Sequence, residues 1–575
     1  MYRKNEQHQQ GYLFSSVTEL PKKQRERLEQ SWAGTFYRDF FSRINEDNFA
    51  VLYSDVASRP NIPVNVLVSL EALKAGFGWS DAELEAQMSY NLQVRYALGY
   101  RDVVDGHFEL RTVYNFRRRL AAYMQETGEN LIEKAFEQVT DKQIVDLKLK
   151  TGKLRMDSVQ IASNIRQMSR VQLLVEVLQR AWRMLTEADQ ERYSNVFAAY
   201  IRSTSSQYTY HLEAGEGQSQ LKAIGQVIQQ LLSDLAVGYG ENIAYAVLER
   251  VYREHFVEIG CEAQPKAGKE LSAHSLQSPD DWEATYRQKR GVGYQGYVTN
   301  VTETCDPDNA LQLIVKVQTE SNTTDDAAML NDAVPNLVAR TEIEELYTDG
   351  GYNSPAVDKT LNDNHVEQFQ TAIRGAQAAT DRLSVSDFVF TRTEAGLPQT
   401  VTCPQGQSVD VHPARQDKRF TAMFDPARCH DCPLNAYCPT QTLKKTKQQV
   451  LRFDQQQVNV AHRRANQRKA KASGRNLRSA VEATVRSIKH PFGQAKLPVR
   501  GRFRVSMTMI ASAAMTNVRR IWRFQAAKTA KILRESTQNA VESTSNQSLS
   551  ARSFAFFRPL FCWAETFSRS QPVAA

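Results

Sequence analysis

The chain has 575 residues, more than one hydrophobic core usually organises, so two to four domains are expected. Hydrophobic residues make up 41% and charged residues 24%, which excludes a wholly disordered chain. The net charge of +8 is concentrated: Gln455–Arg534 holds 19 Lys and Arg against one acid, Glu482, for which a polyanionic partner is the simplest reason, and the rest of the chain is net acidic.

The first residues, MYRKNEQHQQ, lack the apolar stretch of a secretory signal. The longest nearly uncharged apolar run, Val505 to Val518, is shorter than the roughly 18–20 residues that span a bilayer. A soluble cytoplasmic protein is expected. Nucleic acid is favoured over a membrane as the polyanion, because the basic charge is spread over several elements and comes with no lipid anchor.

In chain order, residues 1–140 read as an all-helical domain. Val64, Leu67, Val68, Leu70 and Leu73 are helically spaced, Gly76-Phe77-Gly78-Trp79 breaks the run, and Ser80 with Glu83 forms a capping-box pattern. Leu84, Met88 and Leu92 then lie on one side of a second short helix, an arrangement that suits a helix-turn-helix DNA-binding unit. Near residue 144 the period changes: Val145, Leu147 and Leu149 alternate as an extended run, TGK turns, and LRMDSVQI reads as a strand, giving a first core segment over 141–165. Residues 166–277 read as a helical insert. Strands return at Tyr294–Val301 and Leu311–Val317, followed by a helix at Asp326–Ala339, the strand EELYTD, a short helix at Ala356–Leu361 and a strand at Val366–Ile373. This order predicts a mixed α/β domain, with core strands over 278–380. A small β-rich, cysteine-bearing insert occupies 381–453, the basic helical segment 454–535, and a low-complexity linker with an aromatic tail 536–575. The linker STQNAVESTSNQSLS is expected to be disordered.

Three acids stand out. Asp157 lies in the strand LRMDSVQI, and Asp349 ends the strand EELYTD before Gly350-Gly351, where α/β folds present catalytic groups. Glu482 is the one acid of the basic segment. At 100° per residue, Arg475, Arg478, Glu482, Arg486 and Lys489 fall within a sector of about 80°, beside an apolar stripe of Leu477, Val481, Thr484, Val485 and Ile488. Such a face offers a carboxylate to a metal and cations to phosphates. Phosphodiester cleavage needs a deprotonated nucleophile and a stabilised leaving oxygen, which two Mg²⁺ ions about 3.5–4 Å apart provide. Three carboxylates without metal would repel one another. Each acid also has a local reading: Asp157 as a turn cap, Asp349 bonding the Gly-Gly amides, Glu482 pairing with Arg478 and Arg486.

With these residues the chain resembles bacterial insertion-sequence transposases of the DDE class, whose hallmark is two strand-borne Asp residues and a helical Glu inside Tyr-x2-Arg-x3-Glu-x6-Lys. Arg478, Glu482 and Lys489 match that spacing, and Arg475 stands at the Tyr position. MDS at Asp157 and YTDGGYNS at Asp349 resemble the two Asp blocks. SPDDWEATYRQKRGVGYQGYVTNV resembles the strand region between them, and DVASRPNIPVNVLVSLEALKAGFGWSDAELEAQMSYNLQVRYALG the preceding helical domain. The resemblance covers roughly 50–165 and 278–525. It implies an RNase H-like core with Asp157, Asp349 and Glu482 as ligands for two Mg²⁺ (or Mn²⁺) ions, and Arg478 and Lys489 as DNA contacts; Arg475 and Arg486 join them from the helical wheel. It further implies binding to double-stranded DNA at terminal inverted repeats, cleavage and strand transfer, and a homodimer in the synaptic complex. A nuclease of the same fold without strand transfer, and a non-catalytic DNA-binding regulator or decayed copy, are the competing readings.

Seven cysteines, an odd number, do not suit a disulfide framework. Cys403, Cys429, Cys432 and Cys438 are spaced C-x25-C-x2-C-x5-C, with a Cys-Pro-Gln-Gly turn and a close CHDC pair, a set that could hold a structural Zn²⁺, with His412 or His430 as substitute ligand. Trp522 and Phe524, near Arg519, Arg520 and Arg523, read as core rather than as base-stacking groups.

Overall fold

The structure is a computed structural model that describes residues 1–545, apart from 12, 55, 57–59, 214, 290, 374–380, 394–395, 415–418, 473, 475 and 494–495, and the side chains of 533 and 537–545. Its central sheet is built from β1 (Lys153–Ala162), β4 (Thr285–Lys289), β5 (Val292–Thr304), β6 (Ile314–Ser321), β7 (Glu345–Thr348) and β8 (Glu367–Gln370). A separate hairpin pairs β2 (Phe256–Ile259) with β3 (Glu262–Pro265). The central order is β4-β5-β1-β7-β8. The long β5 pairs β4 through its first half and β6 through its second, antiparallel to both and to β1. β7 and β8 run parallel to β1.

Side chains alternate along a strand, so β1 faces two ways. Leu154 and Met156 pack with Leu330, Val334 and Leu337 of the helix Asp326–Arg340 and with Val357 and Leu361 of the helix Pro355–Asp363. Ile161, together with Tyr297 and Val301 of β5, joins an apolar cluster that also contains Val505, Met515 and Val518 of the helix Arg502–Ser545 and the N-terminal helices. The run Val505–Val518 is therefore core, and among the described residues no helix is long and apolar enough to cross a membrane.

The N-terminal break falls where expected. The helix Val64–Phe77 ends at Gly78, whose φ of +72° is the left-handed region, and the Ser80–Glu83 capping box starts Asp81–Tyr90. A Cβ at Gly78 would also lie 2.1 Å from the Pro491 carbonyl oxygen, so this turn abuts the segment after Lys489. The extended run expected at Val145–Leu149 is not a strand. The helix Leu131–Leu147 takes up its first three residues, because Ile132, Ala135, Phe136, Val139, Thr140 and Gln143 keep a buried helical stripe, while Val145 points to solvent.

The helical insert is five helices between Arg170 and His255 with their own apolar cluster. A second sheet comprises β9 (Val389–Arg392), β10 (Pro398–Thr402), β11 (Ser408–Pro413), β12 (Arg419–Phe424), β13 (Gln441–Thr442) and β14 (Gln449–Asp454), ordered β13-β14-β12-β11-β10-β9. Met1–Trp522 forms one unit and the remainder from Arg523 a second. The linker expected to be disordered is helical as far as Ser545, and the aromatic tail lies outside the described residues.

Candidate active site

Strand pairing brings the two Asp residues near each other. β1 and β7 pair in parallel as far as Arg155 opposite Tyr347; Asp157 follows two residues later on β1 and Asp349 just past the end of β7, near enough for each charge to act on the other. Arg155 and Asp157 share the face of β1 opposite to Met156, and the helix Ala480–Lys489 covers that face with Val481, Thr484, Val485 and Ile488 buried. The predicted apolar stripe is thereby observed, except that Leu477 is only half-buried and precedes the helix.

Arg478 ties the acids together. Its Nη2 donates to Asp157 Oδ2 at 2.9 Å and its Nη1 to Glu482 Oε1 at 3.3 Å. Burial works against its charge, yet Asp157, Asp349 and Glu482 together hold its pKa above the ordinary arginine value. The Asp157 carboxyl is pushed up by burial and by Asp349, with Arg478 opposing. Asp157's side chain is 14% exposed and Glu482's 65%, so one acid is fixed in the sheet and the other reaches into solvent. Two of the local contacts foreseen for these acids also form: Gly351 N–H donates to Asp349 Oδ1 at 2.6 Å, and Glu482 pairs with Arg478 four residues back. Among the described residues, no three of His, Cys, Asp and Glu stand at metal-ligating spacing.

The helical wheel needs correction. Gly474, at φ +67°, precedes a turn through Arg478, and the helix starts only at Ala480, so Arg478 reaches the acids from a turn. Arg475 lies outside the described residues. Arg486 is exposed on the helix. Lys489 is half-buried, donates to the Gln160 carbonyl of β1 at 3.0 Å, and has its pKa lowered by that burial.

Glu303 is a site residue that pattern reading missed. It is fully buried on β5, directly across from Arg155, whose Nε donates to it at 2.7 Å. Its other oxygen accepts from Thr484 Oγ1 and from Arg520 Nη1, both at 2.7 Å, and Arg520 also bonds Thr484. Arg155 donates in addition to the Leu477 carbonyl at 2.8 Å. One buried carboxylate thus clamps β1, β5, the Glu482 helix and the helix from Arg502. The available signal was a lone acid in the otherwise uncharged strand VTNVTET.

Arg519 and Trp522 are likewise engaged inside the fold. Arg519 lies over Phe77 and donates to the Gly76 carbonyl, and Trp522 Nε1 donates to the Gln30 carbonyl at 2.9 Å.

Two family descriptions match the chain. "Transposase domain (DUF772)" matches residues 25–119, and "Transposase DDE domain" matches residues 402–522. Together the two matches support an insertion-sequence DDE transposase. The second match spans Arg478, Glu482, the four clustered cysteines and strands β11 to β14 of the cysteine-bearing sheet. The first covers the helices on either side of Gly78. Both descriptions are of transposases, which implies DNA binding and supports a DNA transposase. No curated protein and no solved structure matches the chain.

Proposed function

We propose that this protein binds the terminal inverted repeats of its own insertion sequence, cuts phosphodiester bonds at the element ends, and joins the freed strands to target DNA. The convergence of Asp157, Asp349 and Glu482 on Arg478 carries this reading. We read the sheet as an RNase H-like core, because three antiparallel strands (β6, β5, β1) continue into two parallel ones (β7, β8), with helices after β6 and β7.

Carboxylate oxygens are the donors that Mg²⁺ or Mn²⁺ prefers, and one or two per ion suffice because Mg²⁺ keeps several waters. By donor chemistry Asp157, Asp349 and Glu482 would suit two such ions, but only after drawing together, since they do not stand at metal-ligating spacing. Arg478 now provides the positive charge between Asp157 and Glu482, and its guanidinium must swing aside before both acids can face an ion. A bound pair of divalent ions would supply a deprotonated attacking oxygen and charge to stabilise the leaving oxygen. The chain's own residues orient the reaction. β1 fixes Asp157 and screens it from water, the Glu303 clamp sets the angle of the Glu482 helix, and Gly351 holds the Asp349 carboxylate. Arg478, once released, and Arg486 would contact phosphates, with Arg475 contributing from the preceding segment. Lys489 would join them only by leaving the Gln160 carbonyl. Two copies of the chain would pair the two element ends.

The test is incubation of the purified protein with a plasmid carrying its gene and native flanks, in Mg²⁺ or in EDTA, beside Glu482→Gln. Metal-dependent breaks at the element ends are expected, reduced on the order of 10³-fold in the variant while end binding persists. Joined products distinguish a transposase from a nuclease that stops at cleavage. End binding by the wild-type protein with no cleavage in any divalent metal would overturn the proposal.

A further inference from the structure

Four thiols from distant parts of the cysteine-bearing insert meet at one place. Cys403 follows β10, Cys429 lies on the short helix Pro426–His430, Cys432 in the turn after it, and Cys438 just beyond the 3-10 turn Asn435–Tyr437. All four are free and half-buried, and together they line a cavity of about 30 Å³ floored by Phe388 and Phe424. The two histidines are elsewhere in chemical terms: His430 is exposed and bonded to Asp431, and His412 is exposed on β11. The donor set is sulfur alone.

The surroundings suit ligating sulfurs. Gly406, at φ +85°, closes a turn that returns Gln407 N–H to Cys403 Sγ at 3.4 Å, and Thr440 Oγ1 donates to Cys438 Sγ at 3.4 Å. Donors aimed at sulfur are what a ligating thiol needs around it to hold its orientation. The stretch also has a mechanical need. Neither the helix Pro426–His430 nor the turn Asn435–Tyr437 buries a residue, so apolar packing does little to hold this stretch against the sheet.

We propose that Cys403, Cys429, Cys432 and Cys438 form a four-sulfur site for one structural Zn²⁺. As they line the cavity the four sulfurs are not at metal-ligating spacing, and binding would draw them in to Zn–S distances of about 2.3 Å as they give up their protons. The ion staples the stretch 426–440 to β10 and thereby stiffens the small sheet. That sheet's last strand, β14, leads without a break into the helix Gln455–Ala472 on the way to Arg478 and Glu482. The site does not rest on the transposase reading, and either can fail without the other.

The full-length protein, purified under reducing conditions, is assayed for zinc by mass spectrometry after dialysis against EDTA, and its apo form is titrated with Co²⁺. About one zinc per chain is expected to survive dialysis. Co²⁺ is expected to produce sulfur-to-metal charge-transfer bands with intense tetrahedral d–d absorption, which added Zn²⁺ abolishes; a carboxylate site gives no such charge transfer. Cys432→Ser and Cys403→Ser are expected to lower zinc retention at least about tenfold. Because those variants can fail to fold, the cobalt spectrum of the wild-type protein is decisive by itself. Absence of charge transfer, or zinc retained undiminished in folded Cys403→Ser, overturns the proposal.

Discussion

At the scale of single residues, the fold uses neutral histidines as acceptors for arginine. His462 Nε2 faces Arg392 Nη2 at 2.7 Å, and His255 Nδ1 faces Arg170 Nε at 3.1 Å. An arginine can only donate, so each imidazole must be neutral there. Burial, then the nearby cations, lowers His462 to about 3 and His255 to about 4. In the unfolded chain both take up a proton near pH 6.5. The folded state refuses that proton, so the stability these groups contribute is complete above about pH 6.5 and is lost as the pH falls towards the folded values. Each histidine costs up to about 1.4 kcal/mol per pH unit in that window. Urea denaturation at pH 7.5 and 5.5 should show a loss of about 2 kcal/mol, part of which disappears in His462→Gln. Equal stability at the two pH values would refute the assignment.

At the scale of elements, the Glu482 helix is positioned by the buried clamp at Glu303 as much as by its apolar stripe. Removing one partner of a buried ion pair leaves the others uncompensated, which costs about 3–5 kcal/mol. Glu303→Gln is expected to lose about 3 kcal/mol, since the amide still accepts one bond while Arg155 and Arg520 lose their counter-charge. Thr484→Val removes two neutral-to-charged hydrogen bonds, to Glu303 and from Arg520, and is expected to cost about 3 kcal/mol. The two should not add, because they share an acceptor. Hydrogen exchange should quicken at the amides of the helix Ala480–Lys489 in Glu303→Gln. Unchanged exchange there would mean that packing by Val481, Val485 and Ile488 suffices.

At the scale of the whole molecule, 19 cations in 80 residues do not act as one uniform patch. Arg463 binds Asp358, Arg520 binds Glu303, and Lys489 binds a strand carbonyl, so several are internal fastenings. Exposed members such as Arg486 remain to face phosphate. Affinity for DNA carrying the element end should therefore fall linearly with salt on logarithmic axes, by about 0.9 in slope for each phosphate neutralised. Arg486→Gln should lower that slope by about one such unit, as read by fluorescence anisotropy across a salt series. An unchanged slope would place the DNA elsewhere.

Much of this was legible along the chain. The exclusion of acids from Gln455–Arg534 singled out Glu482, apolar alternation marked β5 and β6, and the Gly78 break with its capping box was written in adjacent residues. Such features depend on neighbours a few positions apart, where sequence and local structure obey the same periodicities. Val145–Leu149 misled because five residues fit both periods, and the buried stripe of the preceding helix decided between them. The start of the Glu482 helix was equally undetermined by spacing: a wheel assumes continuity, and Gly474 with the turn at Arg478 broke it. What only the tertiary structure decided was who stands beside whom. The parallel pairing of β1 and β7 brings Asp349 near Asp157, and Arg478 closes a bond over 321 positions of chain. Glu303 gathers Arg155, Thr484 and Arg520 from three further segments. Residue types and local periods come from the sequence alone, whereas these contacts arise when separate apolar faces are buried against one another and their charged residues must find partners inside.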